Sequence, residues 1–220
     1  MDIMVWLEIP IAMLCWLSAE IALASQPKTF LTPEEYLELE RKAEYRSEYY
    51  QGEMFAMAGA SYPHNVLSMN LSALLHAQLR RRSCRVVQSD MRVRVDPTGL
   101  YTYPDVAVVC GQPQFADENA DTLLNPGFIA EVLSPSTEGY DRGRKFEYYR
   151  GIESLTEYLL VAQDRVHVDL HTRQPDGRWV LSEASRLEDT LDLQSIGCQV
   201  ALADLYEKVD LTAPASSTPP

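Results

Sequence analysis

Two short apolar runs each carry one carboxylate where a buried strand has no ordinary use for it. Tyr103-Pro104-Asp105-Val106-Ala107-Val108-Val109-Cys110 and Phe128-Ile129-Ala130-Glu131-Val132-Leu133-Ser134-Pro135-Ser136-Thr137 are apolar and β-branched over a strand's length, so each reads as a buried strand. Asp105 falls at the start of the first and Glu131 inside the second. An ionised carboxylate in apolar surroundings must be paired, neutralised or bound to a metal, and metal binding is the simplest explanation for two of them. Alternation along a strand points Glu131 and Leu133 to one side and Val132 to the other.

A basic residue follows at helical spacing. After the break at Ser134-Pro135, the run Asp141 to Arg150 has helical character, with Asp141 as its N-cap and Gly151 as its stop. On that helix Asp141, Lys145 and Tyr149 share a face, as do Lys145 and Tyr148. Lys145 is thereby aimed at the end of the Glu131 strand, and Tyr149 beside it is a candidate substrate contact. If Asp105 and Glu131 lie on one face of adjacent strands, they make a hard-oxygen site suited to Mg²⁺ or Mn²⁺. Lys145 would then stand beside that ion as a cationic donor.

Tyr-Pro-Asp-Val at 103–106, Glu-Val-Leu-Ser-Pro-Ser-Thr at 131–137 and Asp-Arg-Gly-x-Lys-Phe at 141–146 together resemble the Uma-two family of bacterial restriction-endonuclease-like proteins. That family is a branch of the PD-(D/E)xK nuclease superfamily. The resemblance covers about residues 28–208 and implies an α/β (α+β) fold, a restriction-endonuclease-like core with a mixed central β-sheet flanked by helices. It implies a Mg²⁺-dependent (or Mn²⁺-dependent) endonuclease that hydrolyses phosphodiester bonds in DNA, with Asp105, Glu131 and Lys145 catalytic. It also implies Glu48, in Glu-x-x-x-Gly-Glu, as a third metal carboxylate; the plainer expectation for Glu48 is a solvated hairpin acid. The superfamily places its lysine two residues after the second acid, and here that position is Leu133, so Lys145 resembles a migrated lysine. A homodimer is implied by the way such nucleases cut both strands. Two other readings stay open: a non-catalytic nucleic-acid-binding or interaction module that keeps the fold, and a structural network in which the acids pair with Lys145 or nearby arginines.

With 220 residues, 46% of them hydrophobic, the chain has enough apolar surface for one full core. A net charge of −13 disfavours broad attraction to phosphate backbones and argues against a protein that coats DNA. A local basic strip, Arg80, Arg81, Arg82, Arg85, Arg92 and Arg94, offers Arg92 and Arg94 as substrate contacts; the alternative is a solvated helix end favoured by the helix dipole. The four cysteines lack paired spacing, which predicts neither a zinc site nor a disulfide framework and fits a reducing cytoplasm.

The opening, residues 1–27, is apolar but has no basic start, and Pro10 with its acids interrupts a membrane span. The resemblance implies an overlong translation start first, since members of that family usually begin near what is Lys28 here; a packed helix comes second and an anchor third. Thr32, Pro33 and Glu35 predict a capped helix to about Ala43. Residues 45–57 predict a hairpin turning at Gln51-Gly52. Tyr62-Pro63-His64-Asn65 introduces a second helix, where His64 is either structural or a contact to phosphate. Cys84 to Val95 reads as one long strand. The loop from Gly111 to Pro126 carries acids expected to be solvated. His167, Asp169 and His171 have the spacing of metal ligands, but an ordinary half-exposed strand is the preferred expectation. Residues 209–220 predict a disordered tail.

Overall fold

The computed structural model describes residues 30–211, so the expectations for the apolar opening and the final tail lie outside the described residues. Helix α1 (Pro33–Glu40) begins with a reciprocal capping box: the Glu35 amide donates to Thr32 Oγ1 at 3.2 Å and the Thr32 amide to Glu35 Oε2 at 2.8 Å. Strands β1 (Ser47–Tyr50) and β2 (Glu53–Ala56) form the expected hairpin. Its turn needs positive φ at both central residues, and Gln51 and Gly52 adopt 47° and 91°. Helix α2 (Tyr62–Leu79) is capped by Ser61 and buries Leu67, Leu71, Leu75 and Leu79, a stripe at every fourth residue.

Then follow β3 (Cys84–Gln88), β4 (Arg92–Val95), β5 (Leu100–Thr102), β6 (Val106–Cys110), β7 (Thr122–Leu123) and β8 (Phe128–Leu133). A helical segment comprises α3 (Glu138–Tyr140), a π-helical turn (Asp141–Lys145) and α4 (Phe146–Tyr149). The chain continues through β9 (Glu157–Ala162), β10 (Val168–Arg173), β11 (Trp179–Ala184), β12 (Thr190–Leu193), β13 (Cys198–Ala201) and α5 (Leu202–Leu205).

The strands form a mixed six-stranded sheet in the order β11-β10-β9-β8-β6-β3, a five-stranded sheet β2-β1-β5-β4-β7 and the β12-β13 pair. In the large sheet β8 and β9 run parallel. Every residue of both is buried, as expected of parallel strands covered on two faces. One face packs Val106, Val108, Ala130, Val132, Leu159 and Val161 against the α2 leucines and α5. The other packs Ile129, Leu133, Tyr158 and Leu160 against Tyr148 and Tyr149 of α4 and against Val93, Val95 and Leu100 of the second sheet. Strand alternation therefore sends Glu131, in step with Ile129 and Leu133, toward α4. Asp105 lies in the short passage by which the chain leaves β5 and enters β6. Among the described residues no helix is long and apolar enough to cross a membrane.

Four expectations are corrected. Cys84 to Val95 is two strands: β3 pairs with β6 in the large sheet, while β4 pairs with β5 and β7 in the other. Polar and apolar alternation is the same in either sheet, so the pattern alone conceals the change of partner. Cys84 and Cys110 stand opposite each other across β3 and β6 and form a disulfide, which their separation of 26 residues did not signal. Asp141 does not cap the helix: helical backbone starts at Glu138, and Asp141 is buried in the π turn. The loop acids are not simply solvated, because Arg41 binds Asp117 at 2.6 Å and Asp121 at 2.7 Å, tying the end of α1 to the loop.

Candidate active site

Lys145 is the hub of the site. Its ammonium is 2.9 Å from Glu131 Oε1, 3.4 Å from Glu48 Oε1 and 3.5 Å from Asp141 Oδ1. Asp141 lies four residues before it, and Tyr149, four residues after it, donates from its hydroxyl to Glu131 Oε1 at 2.8 Å. The helix face read from the sequence is thus the face that meets β8. Across the strands, the Val132 amide donates to Asp105 Oδ2 at 2.7 Å and the Asp105 amide reaches Glu131 Oε2 at 3.3 Å. These reciprocal backbone contacts fix the two acids side by side. His64, from the first turn of α2, places Nε2 3.1 Å from Asp105 Oδ2. Thr102 donates to Glu48 Oε1, and the rings of Tyr140 and Tyr149 lie 5.9 Å and 6.0 Å from the ammonium.

Acids outnumber bases in this volume, and the electrostatics follow. Burial pushes the Glu131 carboxyl up to about 8; Lys145 opposes that shift, while Asp105 and Asp141 add to it. Burial also raises Asp141, opposed by Lys145. For Lys145 burial pulls downward, but Glu131, Tyr149, Glu48 and Asp141 hold the ammonium well above its ordinary value. At neutral pH Lys145 is therefore charged, and burial biases Glu131 toward its protonated form.

The structure brings Glu48, Asp105, Glu131, Lys145, Tyr149 and His64 together but changes several of their expected parts. Tyr149 is 0% exposed and supports Glu131 instead of facing a substrate. His64 faces Asp105, and its Nδ1 is buried without a hydrogen-bond partner among the described residues. Glu48 is turned to Lys145 and Thr102. Arg92, expected to face substrate, is 3% exposed: it donates to Thr122 Oγ1 at 3.0 Å and Tyr103 OH at 2.8 Å and pairs with Asp121 at 3.1 Å. Arg94 pairs with Asp96 at the β4–β5 turn. Thr102 and Tyr140 were not foreseen, although each directly precedes a motif residue, because neither carries a charge or spacing that marks it.

Two variants separate support from contact. Arg92→Ala is expected to lower unfolding free energy by about 1–3 kcal/mol, since it strips partners from buried Thr122 and Tyr103, and to leave nucleic-acid affinity unchanged; urea unfolding and fluorescence anisotropy read the two. Tyr149→Phe removes one donor to Glu131 and keeps the ring, so a loss of about 2- to 12-fold in cleavage rate is expected, with a lowering of unfolding free energy of about 0.5–1.5 kcal/mol; single-turnover cleavage and urea unfolding read the two.

Among the described residues, three ligand atoms converge within 4.8 Å at His167, Asp169 and Glu183. Asp169 is buried and already paired with Arg142, and His171 instead packs its ring 4.2 Å from Phe146. The polar face expected of a half-exposed strand is thus partly internal.

The model of the Uma2 family, described as "Putative restriction endonuclease", matches residues 33–203. The chain belongs to the Uma2 family. Two curated relatives from Synechocystis sp. (strain ATCC 27184 / PCC 6803 / Kazusa) are described as uncharacterized proteins. One, slr1290, is 38% identical over 83% of this chain and 94% of its own length. The other, sll1609, is 42% identical over 70% of this chain and 86% of its own. A crystal structure from Anabaena variabilis, described as a putative nuclease belonging to DUF820, superposes with a TM-score of 0.67 at 18% identity. It covers 80% of this chain and 98% of that one. That likeness establishes a nuclease-like fold. Membership in Uma2 agrees with the motif resemblance, and the family's description implies a nucleic-acid substrate.

Proposed function

We propose that this Uma2 protein is a Mg²⁺- or Mn²⁺-dependent endonuclease that hydrolyses phosphodiester bonds in DNA, its domain spanning about residues 28–208. The observation that carries the reading is the lysine at 2.9 Å from Glu131, delivered by the next helix although Leu133 holds the position two residues after the acid. The donor set fits a hard divalent cation: Asp105 and Glu131 are oxygen ligands held side by side by backbone amides, and the contacts to Asp105 use Oδ2, leaving Oδ1. Glu48 is the nearest further carboxylate. When bound, the cation supplies positive charge to the reacting phosphate and acidifies water.

The chain's own groups do the rest. Tyr149 and Lys145 both hold Oε1 of Glu131, which turns Oε2 toward Asp105. His64 also holds Oδ2 of Asp105. Lys145, charged at neutral pH, donates to a phosphate oxygen where negative charge builds up. Double-strand cutting from one such site calls for two copies of the chain.

The test is incubation of supercoiled plasmid and single-stranded DNA with the purified chain in Mg²⁺, Mn²⁺ or EDTA. Nicking in either metal and none in EDTA is expected; nicking that persists in EDTA, or none in either metal, overturns the reading.

A further inference from the structure

Beside the acid and lysine cluster lies a cavity of about 400 Å³, and Glu48 forms part of its wall. Four of its other lining residues are aromatic, Tyr50, Phe55, Tyr140 and Tyr148; Arg144 also lines it, beside Leu100, Ser136 and Thr137. Tyr50 and Tyr148 stack with centroids 4.9 Å apart, whereas Phe55 leaves 49% of its surface to solvent. Tyr140 joins cavity to site, since its ring is 5.9 Å from the Lys145 ammonium.

We propose that this cavity receives one unpaired nucleobase of a DNA strand, next to the phosphate that the site engages, so that the substrate is DNA with an extruded or single-stranded nucleotide. This rests on the nuclease reading of the adjoining site. Three features favour that occupant. The cavity is of the size that takes a small flat ligand and too small for a duplex, so a base must leave the stack to enter. Its wall offers the open face of Phe55, and a π-face holds any base by stacking with little regard for sequence. Arg144, exposed and part of the cavity lining, brings positive charge that suits a strand's phosphates, in a protein of net charge −13. Phe55 is a large apolar ring left open on β2, as a base-stacking platform requires.

The experiment uses the full chain carrying Glu131→Gln, so that bound DNA is not cut, in Mg²⁺. The probes are one DNA sequence as a single strand, as a perfect duplex and as a duplex with one bulged nucleotide, each with 2-aminopurine at the same position. Single strand and bulge are expected to bind at least about tenfold tighter than the duplex, with quenched 2-aminopurine fluorescence from stacking. Adding Phe55→Ala is expected to weaken single-strand binding about 5- to 150-fold, the range for loss of one stacked base, and to restore fluorescence. Arg144→Ala should weaken binding to single strand and bulge while leaving the quench of bound DNA intact. Equal affinity for duplex and bulge, or a Phe55→Ala variant that keeps both affinity and quench, overturns the inference. Metal-dependent cleavage by the wild type without any preference for unpaired DNA would refute the cavity's role and leave the nuclease standing. Quenched, Phe55-dependent binding with no cleavage in any metal would do the reverse.

Discussion

Lys145→Met is expected to lower single-turnover DNA cleavage in saturating Mg²⁺ by about 10²- to 10³-fold, the usual loss when one preorganised donor to a charged transition state is removed. Methionine keeps an apolar stem in the buried slot, so packing against Tyr140 and Tyr149 survives. The variant leaves Glu48, Glu131 and Asp141 without their common cation. Because Glu131 already titrates near 8, it takes up a proton instead of remaining a lone buried charge, and the protein still folds at neutral pH. Asp105→Asn and Glu131→Gln are expected to lose cleavage at least as severely while retaining near-wild-type circular dichroism. A Lys145→Met protein that cuts at the wild-type rate would remove Lys145 from the chemistry and favour the structural ion network.

The second large effect is on stability and depends on pH. In EDTA the Glu131 carboxyl titrates near 8 when folded and near its ordinary 4.5 when unfolded. Its folded value is raised, so the proton it binds stabilises the native state fully below about 4.5. That stabilisation is lost as pH rises toward 8, by a total of a few kcal/mol, on the order of 1.4 kcal/mol per pKa unit. Glu131→Gln cannot ionise and escapes the loss. The thermal midpoint of wild type should therefore fall relative to Glu131→Gln by about 5–15 °C between pH 5 and pH 9, for a chain of this size. Mn²⁺ at pH 8 should raise the wild-type midpoint and leave that of Glu131→Gln nearly unmoved. Parallel pH curves for the two proteins would contradict the assignment of Glu131 as a buried, largely protonated acid.

The site was legible where local periodicity and chemistry coincide. An acid inside an apolar strand stands out, and spacing by fours put Asp141, Lys145 and Tyr149 on one face without any knowledge of the sheet. Thr32, Pro33 and Glu35 named a helix start because the capping box is a local device, and Gln51-Gly52 named a hairpin for the same reason. What escaped was long-range. The period-two pattern from Cys84 to Val95 is identical whether one strand spans it or two strands part into different sheets. Arg92 looked like a member of a basic strip, yet its partners Tyr103 and Thr122 lie 11 and 30 residues away and bury it. Cys84 and Cys110 met only because β3 and β6 pair in that register. The π turn at Asp141–Lys145 likewise had no signature in the residue pattern, although it is the segment that delivers Lys145 to Glu131.

The account stands most directly on whether Asp105 and Glu131 hold a divalent cation, and isothermal titration of Mn²⁺ into the metal-free chain at pH 8 measures it. Saturable binding to the wild type is expected, with loss of at least about tenfold in affinity in both Asp105→Asn and Glu131→Gln, a change of about 1.4 kcal/mol or more. Binding that survives both substitutions unchanged, or no binding to the wild type at millimolar Mn²⁺, would contradict it.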